Sequence, residues 1–472
     1  MTSTIPLVGG LPILGALPGF VRDPFSVLRR AASAGSVCRL NLGLLDVVTL
    51  HHPDHVDHVL RKHGDDYTKD GPYWDAIRGL LGNGLPTSRG DFWLRQRRMM
   101  QPQFHKRRLE AMAQGIVASI DRSLDWPDVD DDWQVTDIGA RMPRLTMNVV
   151  SSAILGASTS RRDADIALSE LRYAVDHMYR AMLSSQLPQW VPLPGRNRFA
   201  KSAERLRALV GRFVEARRAR LERGDEDGGD LLGLMLGARD DETGEGMTDQ
   251  QVRDEAMSLF LAGFETTAHG LQWALYFLCR HPEHLQRLRE EADHVLVGAD
   301  PEFADLPRLP YARWVMQEAL RINPPAWWLP RVAAKDDEID GHAIAKGTMV
   351  APVTYTIHRH PDFWPDPERF DPERFSPDQV RGRHRLAWVP FGAGPHQCIG
   401  QELALMEATL ALAMITQRYE LQWAGHVSRP KMSTVIVPAD GVRVRVRRRA
   451  WSRPSLHPSR SMASESSSAM GM

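Results

Sequence analysis

Near the C-terminal end of this 472-residue chain, Phe391-Gly-Ala-Gly-Pro-His-Gln-Cys-Ile-Gly400 sets two glycines and a proline before a single cysteine. Leu403, Leu405, Met406, Ala408, Leu410, Ala411 and Met414 follow at helical spacing. Cys398 therefore lies on a glycine-bent loop that feeds the first turn of a helix. Free N–H groups and the positive end of the helix dipole favour thiolate over thiol there. A thiolate is a strong electron donor to a bound iron. Gly392, Gly394 and Gly400 let the backbone approach a flat group and tolerate positive φ. For Cys398 alone, a buried free cysteine in a turn is the simpler reading.

A second constellation lies in the longest predicted helix. Thr248-Asp-Gln-Gln251 fits a capping box, and the helical pattern runs to about Arg280, before Pro282. That is roughly 30 residues, or about 45 Å. From Leu259 to Phe264 it is apolar almost all round, as a buried helix is. Ala262-Gly-Phe-Glu-Thr-Thr267 sits in its middle. Glu265 and two threonines cost free energy there unless bonded or functional. Gly263 weakens the helix by about 1 kcal/mol. Threonine hydroxyls can bond back to the i−4 carbonyl and open a notch. Elsewhere, Trp93 and Arg97 share a helix face, and Arg97 offers paired donors to a poorly solvated carboxylate. Glu318 and Arg321, three apart, also share a face; alone this is weak, since Glu215 and Arg218 repeat the spacing.

Together these stretches resemble the cytochrome P-450 monooxygenases. The haem-thiolate signature is matched at Phe391, Gly394, Cys398 and Gly400, with His396 where that family most often has Arg. The resemblance implies haem b, with Cys398 as the iron ligand. It assigns Trp93, Arg97, Arg331 and His396 to the propionates. Ala262–Thr267 resembles the family's oxygen-binding notch; Thr266 would then hydrogen-bond dioxygen and Glu265 would relay protons. Glu318, Arg321 and Arg374 would form the family's buried triad on the cysteine side. Pro-Glu-Arg-Phe occurs at both 367–370 and 372–375; the family's distances from Trp364 and to Cys398 favour Arg374. The turn Pro325–Arg331 would line the substrate pocket, with Trp74, Phe264, Trp327 and Trp328 as candidate walls.

Composition is compatible with this. Apolar residues make up 43% of the chain, ample for a core, and 59 basic residues balance 59 acidic ones. Zero net charge argues against nucleic acid or an acidic membrane as main partner. Cys38, Cys279 and Cys398 form no Cys-x-x-Cys pair, which fits a reducing compartment. The apolar run Ile5 to Val21 carries Pro6, Pro12 and Pro18, so neither a signal peptide nor a transmembrane anchor is expected. A cytoplasmic protein is the expectation.

The expected fold is mainly α: one P-450-like domain over residues 1–449 with a small β-rich region, the haem lying between the long helix and the cysteine helix. Residues 5–25 read as extended. Helices are predicted from Pro24 to Ala32, Pro53 to His63, Asp91 onward, Leu109 to Ser123 and Val135 to Leu155. Further helices run from Asp163 to Leu183, Lys201 to Arg223 and Tyr311 to Asn323. A hairpin is predicted around Gly43, and strands over 349–355, 430–437 and 442–446, the last as an edge. Residues 66–90 read as a loop with a short helix, 188–195 as an apolar Pro-rich lid, and 450–472 as a disordered Ser-rich tail.

The implied reaction is insertion of one atom of dioxygen into a C–H bond of a lipophilic molecule, a terpene or other secondary metabolite among the candidates. Electrons would come from NAD(P)H through a separate ferredoxin or flavodoxin-type partner. Arg95, Arg98, Lys106, Arg107, Arg108, Arg381, Arg383 and Arg385 could form a basic docking patch. Two alternatives stand beside this: a peroxide-using or reductant-independent haem-thiolate enzyme, and a haem-binding sensor without turnover. The acid–alcohol pair Glu265-Thr266 weighs against the first.

Overall fold

The computed structural model describes residues 4–156, 160–184, 194–224 and 230–450. Proline and glycine punctuate its N-terminal part. Helix α1 (Leu17–Arg22) carries Pro18 in its first turn and α2 (Pro24–Ala34) starts on Pro24, where the missing N–H leaves nothing unpaired. The leading segment is thus partly helical, not extended throughout. Strands β1 (Val37–Leu42) and β2 (Leu45–Leu50) form the expected hairpin, turning at Gly43 with φ +75°. Helix α3 (Pro53–Asp57) runs on into a π turn, His58–Lys62. Strand β3 (Tyr67–Thr68), α4 (Pro72–Leu81), α5 (Gly90–Met100) and α6 (Lys106–Ser123) follow.

Where the pattern predicts one helix over 135–155, there are two elements. Strand β4 (Gln134–Asp137) pairs with the last strand of the chain, and α7 (Met142–Leu155) starts beyond Gly139, with Pro143 in its first turn. Helices α8 (Arg161–Leu183), α9 (Arg196–Glu222) and α10 (Leu231–Gly237) come next. Helix α10 was not anticipated; Asp230 caps it, its carboxylate accepting from Gly233 N–H at 2.8 Å. Most of the 188–195 lid, much of the linker that follows α9 and the tail from 451 lie outside the described residues.

Helix α11 (Asp249–Arg280) is the axis of the molecule. Both halves of its capping box form: Gln251 N–H donates to Thr248 Oγ1 at 3.3 Å, and Thr248 N–H to Gln251 Oε1 at 2.6 Å. It packs against α7, α9 and α13 (Pro310–Ile322). Pro282 does more than stop it, since it also starts α12 (Pro282–Leu296). Strands β5 (Arg331–Ala333), β6 (Asp337–Ile339), β7 (His342–Ile344) and β8 (Met349–Pro352) precede two short helices, α14 (Thr354–Ile357) and α15 (Pro377–Val380). Almost wholly buried α16 (Gln401–Arg418) carries the cysteine loop at its start. The chain closes with β9 (Tyr419–Trp423), β10 (Pro430–Met432), β11 (Ile436–Pro438) and β12 (Arg443–Arg448).

The main sheet has the order β1-β2-β8-β5-β3, with β8 parallel to β2. The predicted strand over 349–355 therefore ends at Pro352, and the one over 430–437 is a hairpin of β10 and β11. Strand β12 has one wet face, with Val444 and Val446 buried between exposed arginines, but it lies between β4 and β9 and is not an edge. One hydrophobic core joins residues of α11, α7, α13, α16 and the N-terminal sheet. It holds the cysteine loop and the middle of α11 in a fixed relation.

Candidate cofactor and active site

The cysteine loop is a tight backbone fold. Cys398 N–H donates to the Phe391 carbonyl at 2.8 Å and Gln397 N–H to that of Gly394 at 3.0 Å. Gly392 and Gly394 both sit at φ +71°, the left-handed region that side chains disfavour. Gly400, the N-cap of α16, lies at φ −89°, so the expectation of positive φ fails there. A Cβ at 394 would fall inside the Leu60 carbonyl oxygen of the π turn, whereas a Cβ at 392 would meet open space. Gly392→Ala is therefore expected to cost only backbone strain, about 1–3 kcal/mol. Gly394→Ala adds a backbone clash. Its midpoint in chemical denaturation should fall clearly below that of Gly392→Ala, and equal midpoints would refute this packing.

Cys38 and Cys279 are buried; Cys398 is exposed. Its sulfur is nonetheless recessed among protein atoms. Desolvation pushes the thiol up, against the Gly400 N–H and the Arg97 guanidinium, which pull it down. The Gly400 N–H at the helix start thus favours the thiolate as expected, but burial outweighs it. A metal at the sulfur would supply the missing charge.

Beside the sulfur stands a cationic wall. Arg97 donates through Nη1 to the Gln397 carbonyl at 2.9 Å and through Nε to Gln101 at 2.7 Å. The Trp93 and His396 rings lie 3.8 Å apart at 41°. His396 is driven down to about 2, first by burial and then by Lys69, Arg331 and Arg97. Burial lowers Arg331 to about 10 and holds Lys69 well below its ordinary value. Among the described residues, no carboxylate figures among the charges acting on Lys69, Arg97 or His396. His396 Nδ1 and Trp74 Nε1 are buried without a hydrogen-bond partner. Surplus positive charge and orphaned polar atoms are what a pair of carboxylates would satisfy. The residues present therefore fit a group such as haem: Cys398 would face its metal, and Arg97, Arg331, His396 and Lys69 would face its carboxylates. Lys69 was missed in the sequence. It sits in an unremarkable Thr-Lys-Asp stretch, and no local signal marks it.

Helix α11 presents its motif to the interior. Within this largely buried helix Ala262 is exposed, and Gly263, Glu265 and Thr266 are half-buried. Thr266 Oγ1 donates to the Ala262 carbonyl at 2.9 Å, and Thr267 Oγ1 to Gly263 at 3.0 Å. Burial, helped by Asp176 of α8, pushes the Glu265 carboxyl up to about 7. Nearly three turns before Glu265, Glu255 accepts from Leu85 N–H at 3.0 Å and pins the segment after α4 to α11. Ile399, next to the cysteine, and Leu259 of α11 pack on one cluster with Trp93, Leu85, Met100 and Met235. That cluster ties the cysteine loop to the α11 motif.

Glu318 and Arg321 are fully buried on α13. Arg321 Nε and Nη2 donate to the two Glu318 oxygens at 2.6 and 2.8 Å. Arg374 Nε lies 3.5 Å from Glu318 Oε1. Arg369, of the other Pro-Glu-Arg-Phe copy, reaches only Asp371, at 3.9 Å, and is largely exposed. Phe391 packs edge-on against Trp388, 5.9 Å between centroids.

The expected pocket walls divide. Phe264 packs at a tilt against Phe260, 5.5 Å between centroids, and, two residues from both Ala262 and Thr266, points to the opposite face of α11. It belongs to the core, not to the notch. Trp327 is buried and donates its indole N–H to the Ser433 carbonyl at 2.9 Å. It stacks on Trp328 at 4.3 Å, and Trp328 meets Tyr73 edge-on at 5.5 Å. Trp74 faces Lys69 and Arg331, at 5.7 and 5.8 Å, and so stands with the cationic wall. The supposed docking patch also thins out. Arg98 pairs with Asp240 and Glu242, and Arg95 with Glu245, because the segment after α10 folds back over α5. Arg383 lies over Trp364, at 4.1 Å. Lys106, Arg107, Arg108, Arg381 and Arg385 are exposed.

Comparison with known proteins agrees with this architecture. The family model described as Cytochrome P450 matches residues 5–445. Cyclooctat-9-en-7-ol 5-monooxygenase of Streptomyces melanosporofaciens is 35% identical over 423 residues, 89% of this chain and 90% of the relative. Pentalenene oxygenase of Streptomyces avermitilis is 30% identical over 414 residues, 88% and 90%. Among solved structures, the haem domain of cytochrome P450DA superposes with TM-score 0.85 at 29% identity, covering 95% of this chain and 98% of that one.

Proposed function

The chain belongs to the cytochrome P450 family and is a monooxygenase of that family; on that premise we propose that it hydroxylates a terpene-like substrate, with electrons passed from NAD(P)H through a separate ferredoxin or flavodoxin-type donor. Two relatives named for oxidising cyclooctat-9-en-7-ol and pentalenene support the substrate class. The observation that carries the chemistry is the recessed Cys398 sulfur beside a cationic wall that holds orphaned buried polar atoms.

Haem, when bound, supplies oxygen activation for insertion into a C–H bond. The residues of the chain hold, orient and protonate. Cys398 donates charge to the metal, and Arg97, Arg331, His396 and Lys69 bind the propionates. Glu265, near 7, gains and loses a proton at neutral pH. The Thr266 hydroxyl, now donating to the Ala262 carbonyl, can rotate to pass that proton inward. Apolar side chains around Leu259 and Ile399 keep bulk water out. No described helix is long and apolar enough to cross a membrane.

The test uses the haem-loaded protein with a ferredoxin, its reductase and a panel of terpene hydrocarbons and alcohols. Binding should shift the haem absorption, and oxygenated product should follow. Shifts with fatty acids alone would overturn the substrate class. Thr266→Ala should bind the same compounds but form about a hundredfold less product per electron consumed, the low end for a positioned proton donor. Unchanged coupling would remove Thr266 from the reaction.

A further inference from the structure

We propose that His58, His63 and Asp337 form a binding site for a divalent cation of the zinc class, separate from the Cys398 site. The π turn after α3 creates it. In an α-helix, residues five apart diverge by about 140°. Here His63 N–H donates to the His58 carbonyl at 2.9 Å, closing an i→i+5 turn that points both side chains the same way. Their rings stack, 4.2 Å between centroids and 25° from parallel. From β6, Asp337 reaches across; its Oδ2 lies 2.7 Å from His58 Nε2.

The ligand atoms of the three side chains all lie within 4.8 Å of one another, and all three residues are half-buried. Two imidazole nitrogens and a carboxylate oxygen suit zinc in tetrahedral geometry. Asp66, 3.5 Å from His63 Nδ1 and paired with exposed Lys335 at 3.0 Å, lies outside this group of three. The carboxylate is already oriented by its neighbours. The Tyr67 hydroxyl donates to Asp337 Oδ2 at 2.6 Å, and Glu338 N–H to Oδ1 at 2.8 Å. Such outer hydrogen bonds fix the direction of a metal ligand. A plain His58–Asp337 hydrogen bond would need no second imidazole stacked on the first. The same turn carries Leu60, whose carbonyl abuts Gly394, so a bound cation would brace the surface on which the cysteine loop rests.

The experiment is calorimetric titration of the full-length, haem-loaded protein with Zn²⁺ alone, in chelator-free buffer. One ion per chain should bind. His63→Ala should weaken that binding at least about tenfold while leaving the haem spectrum and the metal-free melting temperature unchanged. His360→Ala, which removes an imidazole from the separate group around His52, should bind as the parent does. Equal affinity in His63→Ala and parent, or no saturable binding by the parent, would overturn the proposal.

Discussion

Glu318→Gln is expected to destabilise the protein by about 3–5 kcal/mol, the cost of leaving a buried charge uncompensated. Glu318 and Arg321 have no exposed side-chain surface. The guanidinium of Arg321 also donates to the carbonyls of His358, Pro367 and Arg369, at 3.0, 2.7 and 3.2 Å. Those bonds survive the substitution and hold the positive charge in place. Its counter-charge is gone, and water cannot reach it. Asp371 N–H, which donates to Glu318 Oε1 at 3.0 Å, loses a charged acceptor as well. The damage should spread, because Arg321 anchors the segment that leads to the cysteine loop. Haem retention is expected to fall with stability. Arg374→Gln should cost less, since Arg374 is more exposed and lies 3.5 Å from the carboxylate. Glu368→Gln, which breaks a pair whose acid is mostly exposed, serves as the control and should cost at most about 1 kcal/mol. Denaturant unfolding with haem absorbance as the probe would rank the three. Equal midpoints for Glu318→Gln and Glu368→Gln would refute the role of the buried set.

What the sequence made legible was local. The cysteine loop, the capped central helix and its Glu265-Thr266 pair could be read because each is a short run whose spacing determines its own geometry. The capping box is visible in four residues, and the back-bonded threonines in six. What stayed illegible depended on distant partners. Lys69 joins the cationic wall only because β3 pairs with β5, which starts at Arg331. Arg95 and Arg98 look free until the segment after α10 folds back to neutralise them. Phe264 counts with the other aromatics as a candidate pocket wall, yet helical rotation turns it to the core. The pattern over 135–155 was apolar enough for a helix, but β12 captured its first residues as a strand. His58 and His63 gave no signal because five residues is the wrong spacing for an α-helix; only the π turn brings them together.

Everything assigned to the interior depends on the Cys398 sulfur as donor to iron. Cys398→Ser is close to isosteric, and its N–H should still donate to the Phe391 carbonyl. Yet a serine hydroxyl gives up its proton far less readily than a thiol and donates less charge to the metal. The fold should survive and the chemistry should not. The most direct measurement is the carbon-monoxide difference spectrum of the reduced protein, taken with product formation on the same samples. In Cys398→Ser the thiolate-type band should be absent and product should fall to background. The Cys38→Ser, Cys279→Ser double variant should keep both. A Cys398→Ser protein with the parent spectrum and the parent rate would contradict the assignment.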